Sequence, residues 1–261
     1  MTRDALVLLS RDTPHARETL PTHADRLARR GSVDEIHTCY YGHEAQYDLR
    51  DQLADVRADR VFAVPMVAAH DRQTTVDVPA ALDRIDAAVH YGEPVGRSPA
   101  VTAALRDRAE EASTTEPQAL ALVALGSSSQ PYHRQVAEYH AGRLRGHGAY
   151  GEVTTSYVVQ NPAVECLRYN VDADRAVVLP LFVVGSQATS DDIPDRLELD
   201  RGNLDYAAPL GDHPQLTNAA AAELAKQRVL AENGAAADTF EQSLTADAAA
   251  VATDGRGDEH L

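Results

Sequence analysis

The chain has 261 residues, 44% of them hydrophobic, and sets 40 acidic against 24 basic side chains for a net charge of −16. So acidic a balance argues against a nucleic-acid partner, and no apolar run approaches the roughly 20 residues that a membrane-spanning helix needs. Lys226 is the single lysine, so solvation rests on carboxylates, which suits molar salt, and with no leader pattern after Met1 a cytoplasmic protein is expected.

Ala5 to Leu9 is an all-apolar run, the pattern of a strand buried on both faces, and Ser10-Arg11-Asp12 then supplies turn chemistry. Apolar residues at Ala16, Leu20, Ala24 and Leu27 recur every three or four positions and predict a helix. Strands follow at Ile36 to Tyr41, Val61 to Val67 and Ala87 to His90. Helices between and after them carry Leu49 and Leu53, then Val78, Leu82 and Ile85, then Val101, Leu105 and Ala109. Asp77, two residues ahead of Pro79, is expected to cap its helix, as is Asp192 ahead of Pro194. Glu110 to Pro117 lacks periodicity and reads as a linker.

The program then restarts, with strands at Leu120 to Leu125, Val153 to Val159, Ala176 to Val184 and Leu204 to Ala208. Val136, Tyr139 and Leu144 mark one helix, and Leu216, Ala220 and Leu224 mark the last long one. His133 and His140 fall on the first of these and are expected to face solvent. From about Glu232 the chain turns alanine-rich and acidic.

The restart is an internal duplication. Asp59 to Pro79, DRVFAVPMVAAHDRQTTVDVP, matches Asp174 to Pro194, DRAVVLPLFVVGSQATSDDIP. In both, Asp-Arg enters an apolar run, a proline interrupts it, and Asp-(Val/Ile)-Pro opens a helix. Val7 to Ser10 aligns with Ala124 to Ser127, and Glu35 to Tyr40 with Glu152 to Tyr157.

Alternating strands and helices imply right-handed crossovers and parallel sheets. The expected fold is α/β, two tandem domains, each a four-stranded parallel sheet with helices on both faces and a core of its own. The domains span residues 1–112 and 119–231, with a linker at 113–118 and a tail at 232–261. No glycine-rich dinucleotide fingerprint, P-loop or nucleophile elbow is present.

Ligands of open parallel sheets bind beyond the carboxyl ends of the strands. Those loops carry Ser10, Arg11 and Arg72 in the first half and Ser127, Ser128 and Ser129 in the second. Hydroxyls, guanidinium groups and helix N-terminal N–H groups there are suited to carboxylates. His70 and His43 are the loop imidazoles that could approach a metal, with Cys39 or Tyr40 near, although buried small residues are the ordinary reading of Cys39 and Cys166.

The repeated P-(M/L)-(V/F)-x-x-x-x-(Q/A)-x-x-x-D-(V/I)-P, followed by P-x-G-x-x-P, resembles the sirohydrochlorin chelatase family in its long, duplicated form. The resemblance covers about residues 4–228. It implies a lyase that inserts Co²⁺, or alternatively Fe²⁺ or Ni²⁺, into sirohydrochlorin as a substrate metal without a prosthetic group. The partners would be a tetrapyrrole and a divalent metal. That family places histidine at positions that fall on Leu8, Leu125, Gln73 and Ala188 here, so His70 and Gln73 are the expected catalytic pair and His70 and His43 the expected metal ligands. The serines and arginines would receive the macrocycle's carboxylates. A second reading is a tetrapyrrole or metal carrier, or a regulator, that no longer turns over.

Overall fold

The computed structural model describes residues 2–113 and 118–234; the centre of the expected linker and the tail beyond 234 lie outside the described residues. The first half runs β1 (Asp4–Arg11), α1 (Pro14–Ala28), β2 (Glu35–Tyr41), α2 (Ala45–Leu53), β3 (Arg60–Pro65), α3 (Val78–Leu82), β4 (Ala88–Tyr91) and α4 (Pro99–Ala112). The second runs β5 (Ala119–Ala124), α5 (Tyr132–Gly146), β6 (Glu152–Tyr157), α6 (Leu167–Asn170), β7 (Ala176–Pro180), α7 (Ile193–Leu197), β8 (Leu204–Tyr206) and α8 (Pro214–Glu232). Each half forms a four-stranded sheet, ordered β2-β1-β3-β4 and β6-β5-β7-β8, and every pairing is parallel.

The central strands alternate their side chains between two cores. Leu6 and Leu8 of β1, with Phe62 and Val64 of β3, join Leu120 and Leu122 of β5 and Val177 and Leu179 of β7 in one continuous inner cluster. Ala5, Val7 and Leu9 face a separate outer cluster with α2 and α3, and Ala121 and Val123 face its counterpart in the second half.

The expectation of one core per half therefore needs correcting, because the halves share the inner one. The last helix of each half makes the exchange: α4 packs on α5, α8 and β7, and α8 packs on α1 and β3. Each buried leucine in such a layer contributes roughly 1.5–3 kcal/mol, so the apolar faces of α4 and α8 are matched by the opposite half.

Two buried histidines tie the exchange. His140 on α5 lies with Nε2 2.7 Å from the Gly96 carbonyl oxygen and Nδ1 2.9 Å from Thr102 Oγ1 on α4. His23 on α1 repeats the arrangement, with Nε2 3.1 Å from Gly211 O and Nδ1 2.8 Å from Thr217 Oγ1 on α8. A carbonyl only accepts, so Nε2 donates in each; burial lowers both imidazole pKa values and keeps the rings neutral at pH 7, which leaves Nδ1 to accept from the threonine hydroxyl. The expectation that His140 faces solvent is wrong, and it is fully buried.

Two local features also differ from expectation. β3 and β7 stop at Pro65 and Pro180, shorter than the apolar runs: proline offers no N–H to the outer neighbour, although the next N–H, of Met66 or Leu181, still reaches the Leu9 or Val123 carbonyl oxygen of the central strand. Neither Asp77 nor Asp192 caps a helix: both have helical backbone and no capping bond, since a π-helical turn at Gln73–Asp77 or Ala188–Asp192 precedes each helix. In the first half Asp71 does the capping, its Oδ1 accepting the Thr74 N–H at 2.9 Å.

Candidate functional site at the seam of the two halves

In each sheet the chain winds one way from the first strand to the second and the other way to the third, so loops diverge between β1 and β3 and leave a crevice there. A cavity of about 360 Å³ opens at these ends and draws walls from both halves. Arg11, Arg72 and Gln73 line it from the first half, and Ser127, Ser128 and Ser129 from the second. Thus six of the residues singled out in the sequence converge in one place, joined by Asp71, Leu125, Gly126, Gln130, His133 and Val159.

The first-half wall is built on Asp71. Its carboxylate pairs with the Arg11 guanidinium at 2.6 Å and caps the turn that carries Gln73. Burial pulls the Asp71 carboxyl upward, but the Thr74 N–H and Arg11 outweigh it and hold it below its ordinary value. The Gln73 amide donates to the Gly42 carbonyl oxygen, which ties this wall to the end of β2.

The second-half wall is the serine loop. Ser127 Oγ accepts the Gln130 N–H at 3.1 Å, and the Ser127 N–H donates to Gln160 Oε1 at 3.1 Å. The loop turns at Gly126, whose φ of +80° is costly for any residue with a Cβ. An added Cβ would stand 2.9 Å from the Cβ atoms of Gln160 and Tyr157.

Strand register places the copies differently from the sequence alignment. Ala5 pairs with Glu35 and Val61, and Ala119 with Glu152 and Ala176, so Ala5 matches Ala119 and Arg11 matches Leu125. Leu8 is not the partner of Leu125; it is buried in mid-strand. The aligned serines misled because the second copy carries a longer loop between its first strand and helix.

The remaining expected site residues lie elsewhere. Ser10 is fully buried within β1 and does not line the cavity. His43 sits exposed in the turn after β2 and does not line this cavity. His70 is 2% exposed and lines a neighbouring cavity of about 250 Å³ with Arg97, Tyr132 and Tyr139. Its Nε2 lies 3.4 Å from a Glu93 carboxylate oxygen and its Nδ1 3.2 Å from Thr74 Oγ1. Burial would raise the Glu93 carboxyl, but His70 and Arg97 together hold it at about 2. His70 thus braces Thr74, and through it Asp71, from behind the cleft wall.

Cys39 is buried in the outer core, where desolvation pushes its thiol up to about 12, so it does not supply a thiolate. Among the described residues no group of three or more His, Cys, Asp or Glu side chains is arranged to hold a metal ion. Nor is any helix there long and apolar enough to cross a membrane.

His133, expected at the surface, is half-buried and faces the cavity. The signal was present: His133, Val136, His140 and Leu144 repeat at helical spacing, and the apolar members of that stripe are buried. Burial lowers the His133 pKa below 6.5, with Asp71 opposing and Arg11 reinforcing that shift.

The family model described as CbiX matches residues 6–112 and again 119–227. A curated relative from Halobacterium salinarum, named a probable sirohydrochlorin cobaltochelatase, is 26% identical over 210 residues, covering 70% of this chain and 71% of its own. Among solved structures, SirB from Bacillus subtilis with Fe³⁺ aligns at a TM-score of 0.73 and 15% identity, over 88% of this chain and 98% of that one. The sirohydrochlorin chelatase SirB from the subspecies spizizenii in complex with cobalt gives 0.68 and 16%, over 88% and 97%. A multi-domain protein of Deinococcus radiodurans with structural similarity to chelatases gives 0.70 and 21%; it covers 85% of this chain, which spans only 55% of that longer protein. These likenesses establish the fold, two chelatase-like α/β units in tandem.

Proposed function

The chain belongs to the CbiX family, and we propose that it is a sirohydrochlorin metal chelatase whose reaction takes place in the cleft between its two halves. Co²⁺ is the favoured substrate metal, in line with the name of the Halobacterium relative; Fe²⁺ and Ni²⁺ are the alternatives. The observation that carries the reading is the cavity at the seam, where Arg11 and Arg72 face the serine loop 127–129.

A macrocycle rich in carboxylates needs donors on both sides, and this cleft offers guanidinium groups on one wall and hydroxyl and N–H groups on the other. At molar salt the screening length falls to about 3 Å, so the net charge of −16 does not repel such an anion before contact. Val159, 56% exposed at the rim, adds an apolar surface for the flat face of the pigment. Gln73, held against Gly42, stays within the cleft as a neutral contact. His70 acts through the Thr74–Asp71 wall as a positioning residue, and His43 is left outside the proposed chemistry.

The experiment is a titration of sirohydrochlorin in molar KCl, followed by visible absorption, with the wild type and an Arg11→Ala, Arg72→Ala double variant. Each charge-assisted contact is worth about 1.5–3 kcal/mol, so the double variant should bind at least tenfold more weakly. Equal affinities would remove the cleft as the pigment site. The second reading is a non-catalytic carrier. A carrier would bind pigment and leave Co²⁺ entry no faster than in a protein-free control.

A further inference from the structure

We propose that His133 is the catalytic proton acceptor of the cleft, taking a pyrrole N–H proton as the metal–nitrogen bond forms. The inference deepens the chelatase reading and rests on it. Metal insertion is a balanced exchange without redox change: a divalent cation binds the macrocycle nitrogens and two N–H protons leave. Some group facing the ring must receive a proton with a lone pair that is free near neutral pH.

The cavity wall offers few such groups. Asp71 is ionised but committed to Arg11 at 2.6 Å and to the Thr74 N–H at 2.9 Å, and its depressed pKa makes it a weak base. Gln73 is a neutral amide and Ser127 to Ser129 are alcohols, none of which accepts a proton at neutral pH. The lining contains one imidazole, His133. His70, the loop histidine that the sequence favours, lines a different cavity against Glu93 and Tyr132.

The placement of His133 also suits turnover. It stands in the first turn of α5, a helix of 15 residues, whose N-terminal partial positive charge disfavours an imidazolium. The charged groups near it are Arg11, Asp71 and Arg72 across the cleft and Arg134 beside it on α5. Two of these, Asp71 and Arg11, oppose each other in effect, so burial decides, and the ring rests neutral. A proton taken from one pyrrole nitrogen is then passed to solvent at the open side of the cavity, which regenerates the base before the second proton leaves by the same route.

The test uses full-length protein, sirohydrochlorin and Co²⁺, comparing wild type, His133→Gln and His133→Ala at saturating pigment over pH 5 to 9. Glutamine keeps the size and hydrogen-bonding capacity but not the basicity. The expected result is pigment affinity within about threefold of wild type and an insertion rate lower by about 100-fold or more, the ordinary scale of general-base catalysis. The wild-type rate should fall on the acid side with a midpoint below the ordinary histidine value of 6.5, and the variants should lack that limb. Added imidazole should restore part of the rate to His133→Ala. A His133→Gln rate within threefold of an active wild type would overturn the assignment. A wild type no faster than the protein-free control would instead overturn the chelatase reading beneath it.

Discussion

Lowering the pH should loosen the seam between the halves through His140. Its ring has no solvent exposure and donates to Gly96 O while accepting from Thr102, a pattern that the imidazolium cannot keep. Burial depresses its pKa from the ordinary 6.5 to about 4. The sign follows from linkage: the unfolded chain takes up a proton below 6.5 while the folded chain resists until about 4, so stability is intact above 6.5 and lost as pH falls between them. At about 1.4 kcal/mol per pH unit, the wild type should lose about 2.5 kcal/mol between pH 7 and 4.5 from this group. Urea unfolding followed by circular dichroism at a series of pH values measures it, with His140→Gln as the comparison. The variant starts lower at pH 7 but should lose about 2.5 kcal/mol less over the window. His23, shifted the same way, adds to the wild-type slope, so the double variant should be flattest. Parallel slopes for wild type and His140→Gln would refute the reasoning.

Gly96→Ala should be severely destabilising, by more than about 4 kcal/mol, because an added Cβ would stand 2.0 Å from the Ala68 carbonyl oxygen; a denaturation midpoint near wild type would contradict it. Leu224→Ala on α8 should cost about 2–5 kcal/mol and still give a single unfolding transition, since α8 belongs to the core shared by both halves. Two separated transitions would show that each half holds its own core. Arg11→Ala should change stability by less than about 1 kcal/mol, because its ion pair with Asp71 is half exposed. Its measured effect should fall on pigment affinity instead.

The duplication, the strand and helix alternation and the parallel sheets were legible because period and punctuation are local properties of the chain. Asp59-Arg60 and Asp174-Arg175 announce β3 and β7, and the prolines end them. The exchange of α4 and α8 was hidden, since an apolar stripe such as Val101, Leu105 and Ala109 shows that a helix is buried and not which sheet covers it. The site was legible in part. Arg72, Gln73 and the serines do fall on strand-exit loops and line the seam cavity; Ser10 and Arg11, read as a loop, are the last two residues of β1, where Ser10 is buried and only Arg11 reaches the cavity. His70, read as a loop imidazole that could approach a metal, lines a neighbouring cavity, and His133, read as a surface residue, lines this one. Loop membership says nothing about which way a ring points, whereas the stripe shared with Val136 and Leu144 did carry the information for His133 and His140.

The central claim is that sirohydrochlorin receives its metal in the seam cavity, and the most direct test is the initial rate of Co²⁺ insertion in molar KCl for the wild type against Ser128→Trp. Ser128 is exposed on the cavity wall, so an indole there fills the cleft without entering the core. The account predicts acceleration over the protein-free control by the wild type and its loss in the variant, with the unfolding midpoint unchanged. An equal rate for the two proteins would contradict it.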